Sequence, residues 1–192
     1  MSQPLVVGIG GTTRVNSSSE LALRSCLTLI RALGAETESF SADALDLPHY
    51  GSGRAQGDER VKHLVDSLRR CDGVVLSSPA YHGSMSGMLK NALDYVEDMR
   101  GDRRVYFDGV AVGCIARAAG WQAAGHTLAT LRSIAHALRG WPTPLGVALN
   151  TSSTLFDDSG ACLDASAKAK LHTVGRQVVE FALQRRGLAM QV

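Results

Sequence analysis

Apolar positions follow a recurring order along the chain: a short continuous run, then a helical spacing. Leu5-Val6-Val7-Gly8-Ile9-Gly10 is short, β-branched and closed by glycines, which predicts a buried strand. Leu21, Ala22, Cys26, Leu29, Ile30 and Leu33 then recur at helical spacing up to Gly34. Glu36 to Ala42 is a polar run that suits a strand at a sheet edge, and Asp43 to Gly57, rich in Gly, Pro and Ser, predicts a long loop. Val61, Leu64, Val65 and Leu68 predict a helix capped by Asp58. Gly73-Val74-Val75-Leu76-Ser77 reads as a strand buried on both faces, with Pro79 ending it. A helix follows over Met85, Met88, Leu89, Ala92, Leu93, Val96 and Met99, opened by Ser84 or Ser86. Asp108 to Ala116 predicts a fourth strand, Ala124 to Leu138 a fourth helix, Pro144 to Leu149 a fifth strand, and Ala167 to Phe181 a last helix behind Asp164.

Strand–helix alternation of this kind predicts an α/β fold, a doubly wound five-stranded parallel sheet formed as one unit over residues 1–192. In such sheets ligands bind beyond the carboxyl ends of the strands, where the strand order reverses. The loops after strands one, three and four are therefore where chemistry is expected.

Composition narrows the classes. Hydrophobic residues make up 45% and charged residues 20% of the 192 positions, so a mostly disordered chain is excluded. No apolar run approaches the ~20 residues that span a bilayer, and Met1-Ser2-Gln3-Pro4 lacks the basic start of a secretory signal. The cysteines at 26, 71, 114 and 162 form no CxxC pair and read as reduced thiols, so a cytoplasmic location is expected. A net charge of +2, scattered arginines and 5% aromatics argue against nucleic-acid binding. Arg103-Arg104 and Arg185-Arg186 read as solvated surface. The histidines show no metal-ligand spacing, and no metal site is expected.

The loop Gly10-Gly11-Thr12-Thr13-Arg14-Val15-Asn16-Ser17-Ser18-Ser19 joins a buried strand to a helix N-terminus, where unpaired N–H groups and the helix dipole favour an anion. Hydroxyls at Thr12, Ser17 and Ser19 add donors, and Arg14 adds a planar, permanently charged fork suited to phosphate. Ser17 and Glu20 also satisfy a capping box, so one serine is expected to cap the helix. Arg14 opposes the dipole and serves no capping purpose without an anion. A dinucleotide fingerprint fails because Thr13 stands where its last glycine belongs, and a Walker A loop fails because no lysine precedes Lys62. The loop after strand three, Ser77-Ser78-Pro79-Ala80-Tyr81-His82-Gly83-Ser84, can edge a flat heterocycle or simply turn the chain into a helix. A serine-hydrolase elbow is out of register because position 85 is methionine.

Together the two loops resemble the NADPH-dependent FMN reductase family. Gly11-Thr12-Thr13-Arg14-Val15-Asn16-Ser17 is similar to its G-[ST]-x-R-x-x-S phosphate loop. Pro79 to Asp94 is similar, nearly position by position, to its P-x-Y-x-x-S-x-x-G-x-L-K-N-x-L-D segment, with Ser86 where proline is common. The resemblance implies a flavodoxin-like fold with strand order 2-1-3-4-5. It implies FMN phosphate near Thr12, Arg14, Ser17 and Ser19, and the isoalloxazine near Pro79, Ala80, Tyr81, His82, Gly83 and Ser84. The third flavin loop corresponds to Arg117-Ala118-Ala119-Gly120, with Arg117 and Gly120 as contacts, and departs from the family's usual glycine pair. The implied reaction is hydride transfer from NADPH, with NADH as a possible substitute, to FMN. The cofactor carries the chemistry, so no side chain is named as catalytic. Arg54 or Arg117 is a candidate partner of the NADPH 2′-phosphate. The family implies a homodimer or homotetramer. The reductase either supplies reduced flavin to a monooxygenase partner or keeps FMN and reduces quinones, azo dyes or metal oxyanions. An FMN-binding electron carrier is disfavoured by Arg14 and the positive net charge.

Overall fold

The computed structural model describes residues 3–189. The elements run β1 (Leu5–Gly10), α1 (Ser18–Ala32), β2 (Glu36–Ser41), a 3-10 turn (Ala42–Leu45), α2 (Glu59–Arg70) and β3 (Gly73–Tyr81). There follow β4 (Ser84–Met85), α3 (Gly87–Asp94) with a 3-10 extension (Tyr95–Met99), and β5 (Ala111–Ala118). The last are α4 (Trp121–Ala137), β6 (Trp141–Pro142), β7 (Val147–Asn150) and α5 (Ala165–Ala189). The strands order β2-β1-β3-β5-β6, with β7 also pairing with β5, and all of these pairings are parallel. The expected order 2-1-3-4-5 is thus present, with β5 as its fourth strand and β6 and β7 sharing its fifth place. The polar run Glu36–Ser41 takes the sheet edge, as its pattern predicted.

Alternation along the central strands divides the core into two layers. Val7, Ile9, Val74, Leu76, Val112 and Cys114 pack with Leu64, Leu68, Leu89 and Leu131 of α2, α3 and α4. Val6, Val75, Ile115 and Val147 pack with Leu23, Leu27, Ile30, Leu171, Val174 and Val178 of α1 and α5. Glycines at positions 8, 73 and 113 of the second face let those helices approach closely. A Cβ on Gly8 would lie 2.7 Å from Leu27 Cδ1, and one on Gly113 2.6 Å from Val174 Cγ1.

Five expectations are corrected. The strand containing Pro79 continues through Tyr81. Ser77 accepts from Gly11 N at 2.8 Å, so by strand alternation the Pro79 nitrogen faces the β1 side, where β1 has already ended at Gly10 and no ladder bond is lost. The single helix expected over Met85 to Met99 is a short strand, α3 and a 3-10 extension, with Ser86 as the cap. The fourth strand begins three residues later than expected, after a turn through Gly109, and runs on to include Arg117 and Ala118. The fifth strand is interrupted between Pro142 and Val147. There Arg132 donates to the Thr143 carbonyl at 2.6 Å and Gln177 accepts from Leu145 N at 3.1 Å, satisfying backbone groups the ladder leaves out. Two of the four arginines read as surface are structural. Arg104 caps the carbonyls of Leu68, Arg69 and Cys71 at the end of α2, and Arg186 forks onto Asp72 at 2.7 and 2.8 Å.

Candidate active site

The switch point of the sheet lies between β1 and β3, and the polar loops gather at the carboxyl ends of these strands and of β5. The first loop follows β1. Thr12 is buried, and its Oγ1 accepts from Arg14 N at 3.1 Å, which folds the chain back on itself. Ser17 caps α1, its Oγ accepting from Glu20 N at 3.3 Å. Glu20 reaches back to Asn16 N at 2.5 Å, so the capping box forms with its return bond shifted by one residue, and Asn16 takes a positive φ of 59°. After these bonds the N–H groups of Thr13, Val15, Ser18 and Ser19 have no protein acceptor among the described residues. The Arg14 side chain is exposed and pairs with no described carboxylate. A cation beside the free and accessible N–H groups of Thr13, Val15 and Ser18 has a donor set that suits a phosphate monoester. Ser19 is fully buried, and its hydroxyl lies 3.1 Å from that of Ser17, so it sits beneath the loop surface rather than on it.

The second segment is a β-hairpin, not a loop. Tyr81 pairs with Ser84 across His82 and Gly83, both at positive φ (49° and 83°), which is the backbone of a two-residue hairpin turn. The turn presents Tyr81, 54% exposed, and leaves His82 without a described hydrogen-bond partner. Pro79 and Ala80 line its base, and the Ser84 carbonyl accepts from Thr127 of α4 at 3.2 Å.

The third segment is the end of β5. Arg117 pairs with Pro79 on one side and Leu149 on the other, which brings it next to the hairpin. Its Nη1 reaches Thr151 Oγ1 at 3.4 Å, while its Nε is buried with no partner. A buried guanidinium donor without an acceptor is costly, and Arg104 Nε at the end of α2 is left in the same state. Gly120 caps α4 with no side-chain hydrogen bond, so the first N–H groups of that helix are open.

Three buried serines, none of them expected as a cofactor contact, hold these segments together. Ser77, fully buried, donates to the Ser19 carbonyl at 2.7 Å and so fixes β3 to the first turn of α1. Ser78, also buried, donates to the Pro79 carbonyl at 2.8 Å and accepts from Ser86 N at 3.0 Å. Ser86 accepts from Leu89 N at 3.2 Å. The segment after β7 was also unassigned. Thr151, Ser153, Thr154 and Phe156 line a cavity of about 410 Å³ behind Asn16. Asp157 and Asp158 border it, and the Ser159 hydroxyl and Ala161 N–H hold the Asp157 carboxyl below the usual carboxylate range. Ser18 of the first loop also lines this cavity, far in sequence from the two carboxylates. Burial pushes the thiols of Cys26 and Cys114 to about 12 and that of Cys71 to about 11, so none of these three serves as a nucleophile. No described helix is long and apolar enough to cross a membrane.

The sheet order, with its polar loops gathered at the β1/β3 switch point, defines a flavodoxin-like α/β protein. The model of the NADPH-dependent FMN reductases matches residues 4–154, and the chain belongs to that family. It is an NAD(P)H-dependent flavin oxidoreductase, with FMN and NADPH as its cofactors. It is 26% identical over 178 residues to the FMN-dependent NADPH-azoreductase of Staphylococcus aureus, covering 89% of this chain and 91% of that one. It is 45% identical over 62 residues to an NADPH azoreductase of Bacillus sp. (strain OY1-2), a match spanning 32% of this chain and 35% of that protein. Among solved structures, the flavoenzyme NAD(P)H:(acceptor) oxidoreductase FerB of Paracoccus denitrificans superposes with a TM-score of 0.74 at 21% identity, over 96% of this chain and 99% of that one. Flavodoxin 1 of Bacillus cereus superposes with a TM-score of 0.59 at 12% identity, over 93% and 98%. These two likenesses establish the fold.

Proposed function

We propose that the three segments at the carboxyl edge hold FMN as a bound cofactor, reduced by NADPH and reoxidised by an aromatic acceptor such as an azo compound or a quinone. The observation that carries this reading is the set of unpaired donors: the N–H groups of Thr13, Val15 and Ser18 and the Arg14 side chain on the first loop, and the buried Nε of Arg117 on the third segment. Thr12, Arg14 and Ser17 hold the phosphate, with Ser19 supporting Ser17 from below. Pro79 to Ser84 edge the ring, and Arg117 and Gly120 supply donors to its polar rim. FMN, when bound, supplies an electron acceptor for hydride and an electron donor to the second substrate. The chain's own part is positioning: the rigid hairpin fixes the ring's edge, and the open crevice admits first nicotinamide and then the acceptor. No side chain is assigned a proton, because the cofactor carries the chemistry.

The match along most of the chain to proteins named azoreductases favours bound FMN. The family's own description, an FMN reductase, favours a second reading in which reduced FMN leaves for a monooxygenase partner. Anaerobic NADPH oxidation with FMN titrated from sub-stoichiometric to excess separates them. Bound FMN predicts one protein-bound equivalent reduced, with turnover waiting for a quinone or dye. Accumulation of reduced free FMN over many turnovers overturns it in favour of the second. Reduced thiols and dependence on NADPH support a cytoplasmic location. Exposed Tyr81 and Tyr50 beside α3 support a homodimer or homotetramer, which light scattering at micromolar concentration tests against a monomer.

A further inference from the structure

Beside the end of β5 the sheet edge opens into a cleft of about 300 Å³. It is lined among others by Trp121, Asn150, Ser153, Asp164, Ser166 and Lys170. Trp121 is 62% exposed and stacks on no described ring, although the chain's other tryptophan, Trp141, packs against Phe181. Trp141 is nearly as exposed, at 59%, so what sets Trp121 apart is an indole face that no described ring covers, which leaves it open to stacking. Lys170 forms no ion pair with a described residue, and Ser166 uses its hydroxyl on no described partner. The one carboxylate, Asp164, has an oxygen committed to Ala167 N at 2.7 Å as the cap of α5. Asn150 holds the Ser152 N–H with its oxygen at 2.9 Å, which leaves its amide donors free. A bare aromatic face, free amide and hydroxyl groups and one unpaired ammonium together match a purine ribonucleotide carrying a phosphate.

We propose that this cleft is the subsite for the adenosine end of NADPH, with Trp121 against the adenine and Lys170 as the cation for the 2′-phosphate. The placement rests on the reading that the flavin ring lies over the ends of β3 and β5. The cleft borders β7, two strand positions from β3, or roughly 10 Å, a gap that two riboses and a pyrophosphate bridge. It also removes the arginines from the role. Arg117 is engaged with Thr151 and buried at its Nε, and Arg54 sits on the long loop after β2.

The test uses the full chain without FMN and in a Trp141→Phe background, so that Trp121 is the sole indole. The probes are 2′,5′-ADP and 5′-AMP, which carry the adenosine end and no nicotinamide. Both are expected to quench Trp121 emission saturably, 2′,5′-ADP binding about tenfold more tightly than 5′-AMP. Lys170→Ala is expected to bring the two within about twofold while leaving 5′-AMP unchanged. Trp121→Ala, read by calorimetry, is expected to weaken both by about 5- to 150-fold. Absence of saturable quenching, or a preference for 2′,5′-ADP that survives Lys170→Ala, overturns the proposal. Because neither probe needs flavin, failure of FMN to bind the crevice shows in a separate FMN titration and leaves this readout intact.

Discussion

Arg14→Ala separates a ligand-binding arginine from a structural one because the two consequences have opposite signs. In the free chain Arg14 makes no ion pair and lies at the N-terminus of α1, where a cation opposes the helix dipole. Removing it should therefore leave the flavin-free protein as stable as before or more stable, by about 0.3–1 kcal/mol at low salt. Toward FMN the same change removes a charge-assisted contact to phosphate, which contributes about 1.5–3 kcal/mol. That corresponds to roughly 10- to 150-fold weaker binding. The assay is quenching of flavin fluorescence on titration with flavin-free protein, paired with urea unfolding of both chains. Riboflavin, which lacks the phosphate, is the control and should bind both chains equally. An FMN affinity within threefold of the parent would remove Arg14 from the site. An equal loss for riboflavin would mean that the substitution had disturbed the loop rather than a phosphate contact.

Further outcomes follow from the same structure. Gly11→Ala places a methyl group 2.7 Å from Leu89 Cβ and against the Ser86 hydroxyl that caps α3, so overpacking should cost about 1–3 kcal/mol in denaturant melts. The Arg60 side chain holds the Asp58 carboxyl down at about 2. A depressed folded value means stability that is complete above the unfolded pKa near 4 and is lost as pH falls through about 2. Asp58→Asn keeps a capping acceptor without the charge, so its deficit in urea midpoint should be present at pH 6 and close between about pH 4 and 2. In the native chain iodoacetamide should label Cys162 alone at an appreciable rate, because Cys26, Cys71 and Cys114 are buried with raised thiol pKa values. Mass spectrometry showing an early second label would contradict that burial.

The parallel sheet was legible because its central strands are continuous apolar runs closed by glycine, and Gly8, Gly73 and Gly113 stand where α1 and α5 press closest. The misreadings cluster where side chains, not backbone pattern, decide. Pro79 looked like a terminator, yet its missing N–H faces a neighbour that has already ended. His82-Gly83 turns a hairpin only because both residues accept positive φ, and histidine gives little local sign of that. The break in the last strand depends on Arg132 and Gln177 reaching in from α4 and α5, which no window of neighbouring residues contains. Within the candidate site, hydroxyl and arginine content exposed the first loop. Ser77 and Ser78 were passed over because a buried serine in an apolar run gives no periodic signal, although their bonds to Ser19 and Ser86 set the two loops in place.

The central claim is that unpaired donors at the carboxyl edge receive FMN, and hydrogen–deuterium exchange with and without FMN tests it at the donors themselves. With FMN bound, exchange should slow at the amides of Thr13, Val15 and Ser18, together with the hairpin at residues 80–84 and the first turn of α4. Saturating FMN that leaves these amides unchanged, or that protects only the segment at residues 151–160, would contradict it.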